Sequence, residues 1–264
     1  MSDELLDLPT PTSPESSEFA TRDSADVSWW AYAKAYDLMC EANPAYQDNL
    51  ALLSEWMQQV PLPTHPSVCD LGAGTGNYLL TIGRQIPQAH LIHIDWNSAM
   101  TARAVEKYER HDLNVDLLNC SMDDAELPSQ SLDVAICFNA LYAFSNRETN
   151  IEKLLGWLKP GGYFFVMDMG RAMDTGDWAR YMMKHYVKQY GVYNTIKRLY
   201  RTRAAIPANK QVRQHQDSGV YWLHSTDTFK SWLTARGFQV EHIQSCYRGI
   251  GDFAVCRKSA SAVE

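Results

Sequence analysis

No stretch of the 264 residues is apolar for long enough to span a bilayer, and none of the six cysteines stands at Cys-x-x-Cys spacing. The first absence leaves no transmembrane helix to be expected, and the second disfavours a structural zinc site. Cys40, Cys69, Cys120, Cys137, Cys246 and Cys256 are instead read as reduced thiols, three of them inside predicted strands. The first residues are acidic rather than basic and precede no apolar run, so a cytoplasmic protein without a membrane partner is expected. Basic charge is also short. Acids outnumber Lys and Arg by 31 to 24, a formal net charge of −7, which argues against a nucleic-acid partner. No internal repeat is visible.

What is present is enough apolar material, 45% of residues, to bury a sizeable single core with additions. Residues 1–26 carry Pro9, Pro11, Pro14, several serines and mostly acidic charge, and read as a disordered tail. Order is expected from Val27, where Trp29, Trp30, Tyr32 and Tyr36 recur at helical spacing up to Asp37. Asn43-Pro44 breaks that helix; a second is predicted from Tyr46 to Gln59 and stops at Pro61-Leu-Pro63.

Val68-Cys-Asp-Leu-Gly-Ala-Gly-Thr-Gly-Asn-Tyr78 then joins an apolar run to a glycine-dense turn and a helix-like segment starting at Gly76 or Asn77. Gly72, Gly74 and Gly76 permit the dihedrals of a tight turn and let a ligand press on bare backbone. Spacing separates two cofactor classes. A dinucleotide loop would place its third glycine at position 77, where Asn77 stands. Ala89-His-Leu-Ile-His-Ile94 reads as a second buried strand with Asp95 at its C-terminal end, where a carboxylate can accept from two ribose hydroxyls. A third strand covers Val115 to Leu118, a fourth Leu132 to Leu141 and a fifth Leu158 to Asp168.

The Gly-x-Gly-x-Gly loop preceded by Asp70 resembles motif I of the class I S-adenosylmethionine-dependent methyltransferases. Further landmarks are similar in order: Asp95, the segment Cys120 to Pro128, the turn and strand from Leu158, and the final helix-to-strand turn at Ala235-Arg-Gly followed by Asp252-Phe-Ala-Val-Cys-Arg. Together they span roughly 68 to 257. The resemblance implies an α/β fold: a Rossmann-like, seven-stranded, mostly parallel sheet with an antiparallel last strand, helices on both faces and a helical lid insertion. It implies S-adenosyl-L-methionine as cofactor, held by Asp70, Gly72, Ala73, Gly74, Gly76 and Asp95. Trp96 is then placed against the adenine, Met122 and Asp124 flank it, and Asp123 accepts from its amino group, with Asp124 one residue from the same role. Asn139, at the strand-four tip, and Tyr32 complete the cofactor set. Other readings stay open: strand-end acids for Asp70 and Asp168, an exposed loop acid for Asp123, and core packing for Trp96, Met122, Tyr32 and Tyr36.

The organisation expected is a tail (1–26), a helical cap (27–62), a cofactor-binding core (63–170 and 223–258), a lid (171–222) and a flexible C-terminus (259–264). The lid carries ten Lys and Arg from Arg171 to Arg213 against Asp174 and Asp177 alone. That imbalance suggests an anionic acceptor or an acidic carrier protein, or else a solvated face. Tyr36, Tyr142, Tyr186, Arg198 and Tyr221 are the expected acceptor contacts, and His185 and His224 the candidate bases. The strand-four tip lacks the Asn-Pro-Pro-Tyr motif of many amino-methylating nucleic-acid enzymes. The expected activity is O- or N-methylation of a small anionic or aromatic metabolite, with a homodimer compatible with it. Two other classes remain: a cofactor-binding regulatory or assembly protein without catalysis, and a nicotinamide-dependent oxidoreductase.

Overall fold

Alternation along the strands builds a sheet buried on both sides. Val134, Ile136 and Phe138 face one hydrophobic layer and Ala135 and Cys137 the other; Phe165 and Met167 oppose Phe164 and Val166 in the same way. The computed structural model describes residues 29–259. The tail expected over 1–26 and the C-terminal stretch beyond residue 259 lie outside the described residues.

Seven strands form one sheet: β1 (Ser67–Leu71), β2 (His90–Ile94), β3 (Val115–Leu118), β4 (Leu132–Phe138), β5 (Leu158–Met169), β6 (Phe238–Cys246) and β7 (Gly251–Lys258). Their order is β3-β2-β1-β4-β5-β7-β6. Neighbours from β3 to β5 pair in parallel, and β7 runs antiparallel between β5 and β6. The order reverses between β1 and β4, so the carboxyl ends of those strands open the crevice in which such sheets bind ligands.

Helices α1 (Trp29–Ala42), α2 (Pro44–Gln59), α3 (Asn77–Gln85) and α4 (Ser98–Arg110) lie towards one layer, α5 (Arg147–Trp157) and α8 (Thr226–Ala235) towards the other. The expected break between the first two helices is present: Asn43 caps α2, its side chain accepting from the Ala45 amide at 3.1 Å, and Pro44 follows. Residues 171–222 hold α6 (Thr175–Thr202) and α7 (Ile206–Asp217), which agrees with the two or more helices read there. Helix α6 kinks at Gly191, whose φ of 73° and ψ of 167° interrupt the helical path. Strand β4 stops at Phe138 rather than Leu141, because Asn139 takes φ 57° and the chain turns into a 3-10 segment over Leu141–Ala143.

Candidate functional site

The loop after β1 is made of positive-φ turns. Gly72, Gly74 and Gly76 have φ of 72°, 55° and 74°. At Gly72 an added Cβ would stand 2.5 Å from the Cβ of Ala140, at Gly76 it would meet the Tyr108 hydroxyl, and at Gly74 it would point into open space. The outer two glycines therefore seat the loop against β4 and α4, while Gly74 leaves backbone facing the crevice. Gly76 caps α3, which starts at Asn77 as expected. Ala73 is buried beside them, its amide bonded to the Ile94 carbonyl at 3.0 Å.

Asp95, buried at the tip of β2, lies across this loop. Its Oδ2 accepts from the Gly74 amide at 2.7 Å and its Oδ1 from the Asn97 amide at 2.8 Å. Each oxygen keeps a lone pair for a further donor. Burial lifts the carboxyl from 3.8 to about 6, the two amides opposing the rise. Asp70, one strand over, is also pushed up, by burial first and by the nearby Asp95 second. Its Oδ2 and the Oδ1 of Asn139 are buried acceptors without a protein partner among the described residues.

Two acceptors left without donors on the β1 and β4 tips, beside a carboxylate that bridges the glycine loop, fit a ligand that brings N–H and O–H groups. The amino acid and ribose parts of S-adenosylmethionine have that chemistry. Asp95 would hold the ribose, and Asp70 and Asn139 the methionine end.

The other expected contacts are placed as follows. Met122 is buried against the layer that includes Ile92 and Ile94. Asp123 turns its Oδ1 to the Asn150 amide, 2.8 Å away, leaving Oδ2 without a partner among the described residues, whereas Asp124 is exposed and bonds Ser121. The Trp96 ring stands edge-on to Trp29, centroids 5.7 Å apart. Tyr32 and Tyr36 pack together at 5.7 Å on α1, and Tyr142 and Tyr221 at 4.8 Å near the β4 tip. Burial raises the phenols of Tyr32, Tyr36, Tyr142 and Tyr221, so at neutral pH they remain protonated donors. Tyr186 is buried within α6, its phenol raised for the same reason.

The expected bases and cations are engaged by other groups of the chain. His185 bonds Gln189 along its own helix at 2.9 Å. The His224 side chain is fully enclosed, with Nε2 3.6 Å from Asp168 and Nδ1 3.8 Å from Asp252. Phe229 stacks on its ring and Trp222 lies at 4.4 Å. Arg198 donates to the Leu38 carbonyl at 2.8 Å, reaches Glu41 at 3.7 Å and covers the Tyr190 ring. Arg171 pairs with Asp252, and Arg213 with Asp217.

Sequence reasoning passed over two features here. Asp37 on α1 accepts from Thr75 in the glycine loop at 2.7 Å, from Lys107 at 2.8 Å and from Arg103 at 2.7 Å, so the first helix is latched onto the loop. Tyr247, buried at the turn before β7, receives the Asn139 amide at 3.4 Å. Neither has a local signal, since the partners are 38 to 108 residues apart in sequence.

Comparison with known proteins matches the domain in which the cradle lies. The model of a methyltransferase domain family matches residues 68–162, which hold every cofactor-binding candidate except Tyr32. A carboxy-S-adenosyl-L-methionine synthase of Shewanella baltica is 28% identical over 143 residues, covering 53% of this chain and 58% of that protein. The chain thus spans about half the length of the curated relatives it matches. Among solved structures, a SAM-dependent methyltransferase from Aquifex aeolicus aligns with a TM-score of 0.55 and 17% identity, over 84% of this chain and 97% of that one. The cyclase SpnF aligns with a TM-score of 0.60 and 14% identity, over 87% and 95%. These last two likenesses concern the fold alone. Residues 68–162 thus match a methyltransferase domain, and the sheet order, the glycine loop and these likenesses together support a class I S-adenosylmethionine-dependent methyltransferase, with S-adenosyl-L-methionine as the implied cofactor.

Proposed function

We propose that the protein is an O- or N-methyltransferase acting on a small metabolite, aromatic or anionic, by in-line transfer. The observation that carries the reading is the Asp95 carboxylate fixed across the Gly74 amide, next to the unpartnered acceptors of Asp70 and Asn139. When bound, the cofactor supplies a methyl group on a positive sulfur, which an acceptor lone pair displaces in line.

The chain's own residues then have to align the acceptor and exclude water, and alignment supplies most of the rate gain in such a transfer. Tyr32, Tyr36, Tyr142 and Tyr221 are assigned to the acceptor wall, as neutral donors and flat apolar faces. The aromatic half of the substrate class draws support from them. The anionic half draws less, because Arg171, Arg198 and Arg213 are held by partners within the chain. His224 is assigned to supporting Asp168 at the tip of β5, as its side chain is wholly enclosed. A neutral amine needs no base before attack, and an ionised acid or phenol needs none either. Residues 171–222 are proposed as the lid over this wall, with 27–62 as the cap on the cofactor.

A second reading, in which the chain binds the cofactor for a regulatory or assembly role, is kept because His185 and His224 are engaged elsewhere in the chain, which leaves His215, its ring 4.9 Å from that of Tyr221, as the imidazole at the wall. Purified protein incubated with methyl-labelled cofactor and a metabolite extract is expected to yield a labelled small product. Label recovered only in protein or RNA would overturn the small-molecule assignment, and tight S-adenosylhomocysteine binding without any transfer would favour the second reading.

A further inference from the structure

Beyond Gly191, helix α6 is turned inside out. Its inward face carries Thr195, Arg198 and Thr202; the two threonines are buried and bond back to the Gly191 and Arg198 carbonyls, while Arg198 reaches α1. Its outward face carries Val192, Ile196 and Leu199 at i, i+4 and i+7, with Tyr193 and Tyr200 beside them. Tyr193 is 78% exposed, Tyr200 65%, Val192 and Ile196 63% each and Leu199 40%. Ile206, opening α7, prolongs the apolar surface and is equally open. Apolar side chains on a helix normally turn to the core, and a contiguous exposed set marks an interaction surface.

Along the segment that carries this stripe the charge has one sign. From Trp178 to Gln216 there is no Asp or Glu. Lys184, Lys188, Lys197, Arg201 and Lys210 are exposed and make no ion pair among the described residues. This is the basic end of a chain whose formal net charge is −7. A second copy brought onto the face by two-fold symmetry would set these cations against their own equivalents. A protein helix would need a groove to enter, and side chains this exposed form a ridge.

We propose that the outward face of α6 and the start of α7 dock on an anionic lipid bilayer, lying flat in the interface. Val192, Ile196 and Leu199 enter the acyl boundary, the Tyr193 and Tyr200 hydroxyls stay at headgroup level, and the surrounding lysines and arginines meet lipid phosphates. Binding is peripheral, because no helix among the described residues is long and apolar enough to cross a membrane. The surface departs from the expectation of no membrane partner drawn from the sequence, and it is independent of the acceptor's identity.

The test is co-sedimentation of the full chain with vesicles of phosphatidylcholine alone and of phosphatidylcholine mixed with phosphatidylglycerol, at low and high salt. The protein should pellet with the mixed vesicles at low salt and be released as salt rises. Combining Tyr193→Ser, Ile196→Ser and Tyr200→Ser should abolish pelleting, with thermal unfolding unchanged as the control for folding. A separate double variant, Lys197→Gln with Arg201→Gln, should weaken binding about thirtyfold, at the usual contribution of a cation near an anionic surface. Three results would overturn the proposal: no pelleting with mixed vesicles at low salt, pelleting indifferent to both variants, or a solution dimer that the triple variant converts to monomer. Capture of a soluble acidic protein while the vesicles stay unbound would overturn it as well.

Discussion

The glycine cradle and the helical segment 171–222 solve opposite problems with opposite materials. In the cradle, Gly72 and Gly76 stand where a methyl group would collide with Ala140 or Tyr108, and the Asp95 carboxylate is locked by two amides. In the segment, Val192, Tyr193, Ile196 and Tyr200 are open to solvent, Arg198 and Arg171 hold the segment to the rest of the chain, and Arg213 pairs within it. The cradle is over-determined by backbone geometry and the segment under-determined by it. Substitution should accordingly be costly in the first and mild in the second.

The largest effect is expected at Gly76. Gly76→Val combines a left-handed dihedral with a collision at Tyr108 and should lower stability by roughly 2–5 kcal/mol and abolish S-adenosylhomocysteine binding, checked by denaturant unfolding and calorimetry. If the variant binds normally, the rigidity claimed for the cradle is mistaken. Next comes the latch. Asp37→Ala leaves the mostly buried Lys107 without its carboxylate, and about 3 kcal/mol of stability should be lost, the lower end for removing one partner of a buried pair because both side chains keep some solvent. An accompanying faster release of S-adenosylhomocysteine would tie α1 to the cradle; release at the normal rate would make α1 a mere neighbour.

Asp95→Ala should weaken cofactor affinity by roughly 1.5–3 kcal/mol with the fold intact, the scale for hydrogen bonds to a charged group. Unchanged affinity would move the ribose contact elsewhere. The same carboxyl gives a pH signature of two signs. Its folded value of about 6 exceeds the ordinary 3.8, so the folded chain holds this proton more tightly than the unfolded chain does. Ionised Asp95 therefore costs folding stability above pH 6, and that cost is relieved as pH falls towards 3.8. Cofactor affinity runs the other way and should drop as pH falls through about 6, where the acceptor is protonated. Asp95→Asn should flatten both profiles, and a pH-independent titration of the native protein would separate the carboxylate from binding.

The smallest effect is expected at the far end of the comparison. Tyr193→Ser should change stability by no more than about 0.5 kcal/mol, as for other exposed positions. A larger loss in denaturant unfolding would mean that the α6 stripe is covered within the chain itself.

Local chemistry left a legible trace wherever it was sufficient. Short apolar runs at 68–71, 90–94 and 115–118 became strands, Asn43-Pro44 became a helix boundary, and three glycines two residues apart became the positive-φ loop. The strand-four tip was read too long because nothing in Asn139-Ala-Leu announces a left-handed asparagine. The fates of His224 and Arg198 were hidden for another reason. An imidazole sealed between Asp168 and Asp252, or a guanidinium drawn to Leu38, depends on residues 28 to 160 positions away.

What the sequence by itself determined, then, is the sheet, its cofactor loop and the acid at the end of its second strand. Short apolar runs and glycine's access to positive φ act within a few residues, and few other arrangements satisfy them. Tertiary structure alone decided that Asp37 latches a helix onto that loop, that the histidine is enclosed, and that a helix turns threonine inward and tyrosine out. Which face of an element is buried is set by what packs against it, and in this chain those partners come from distant segments.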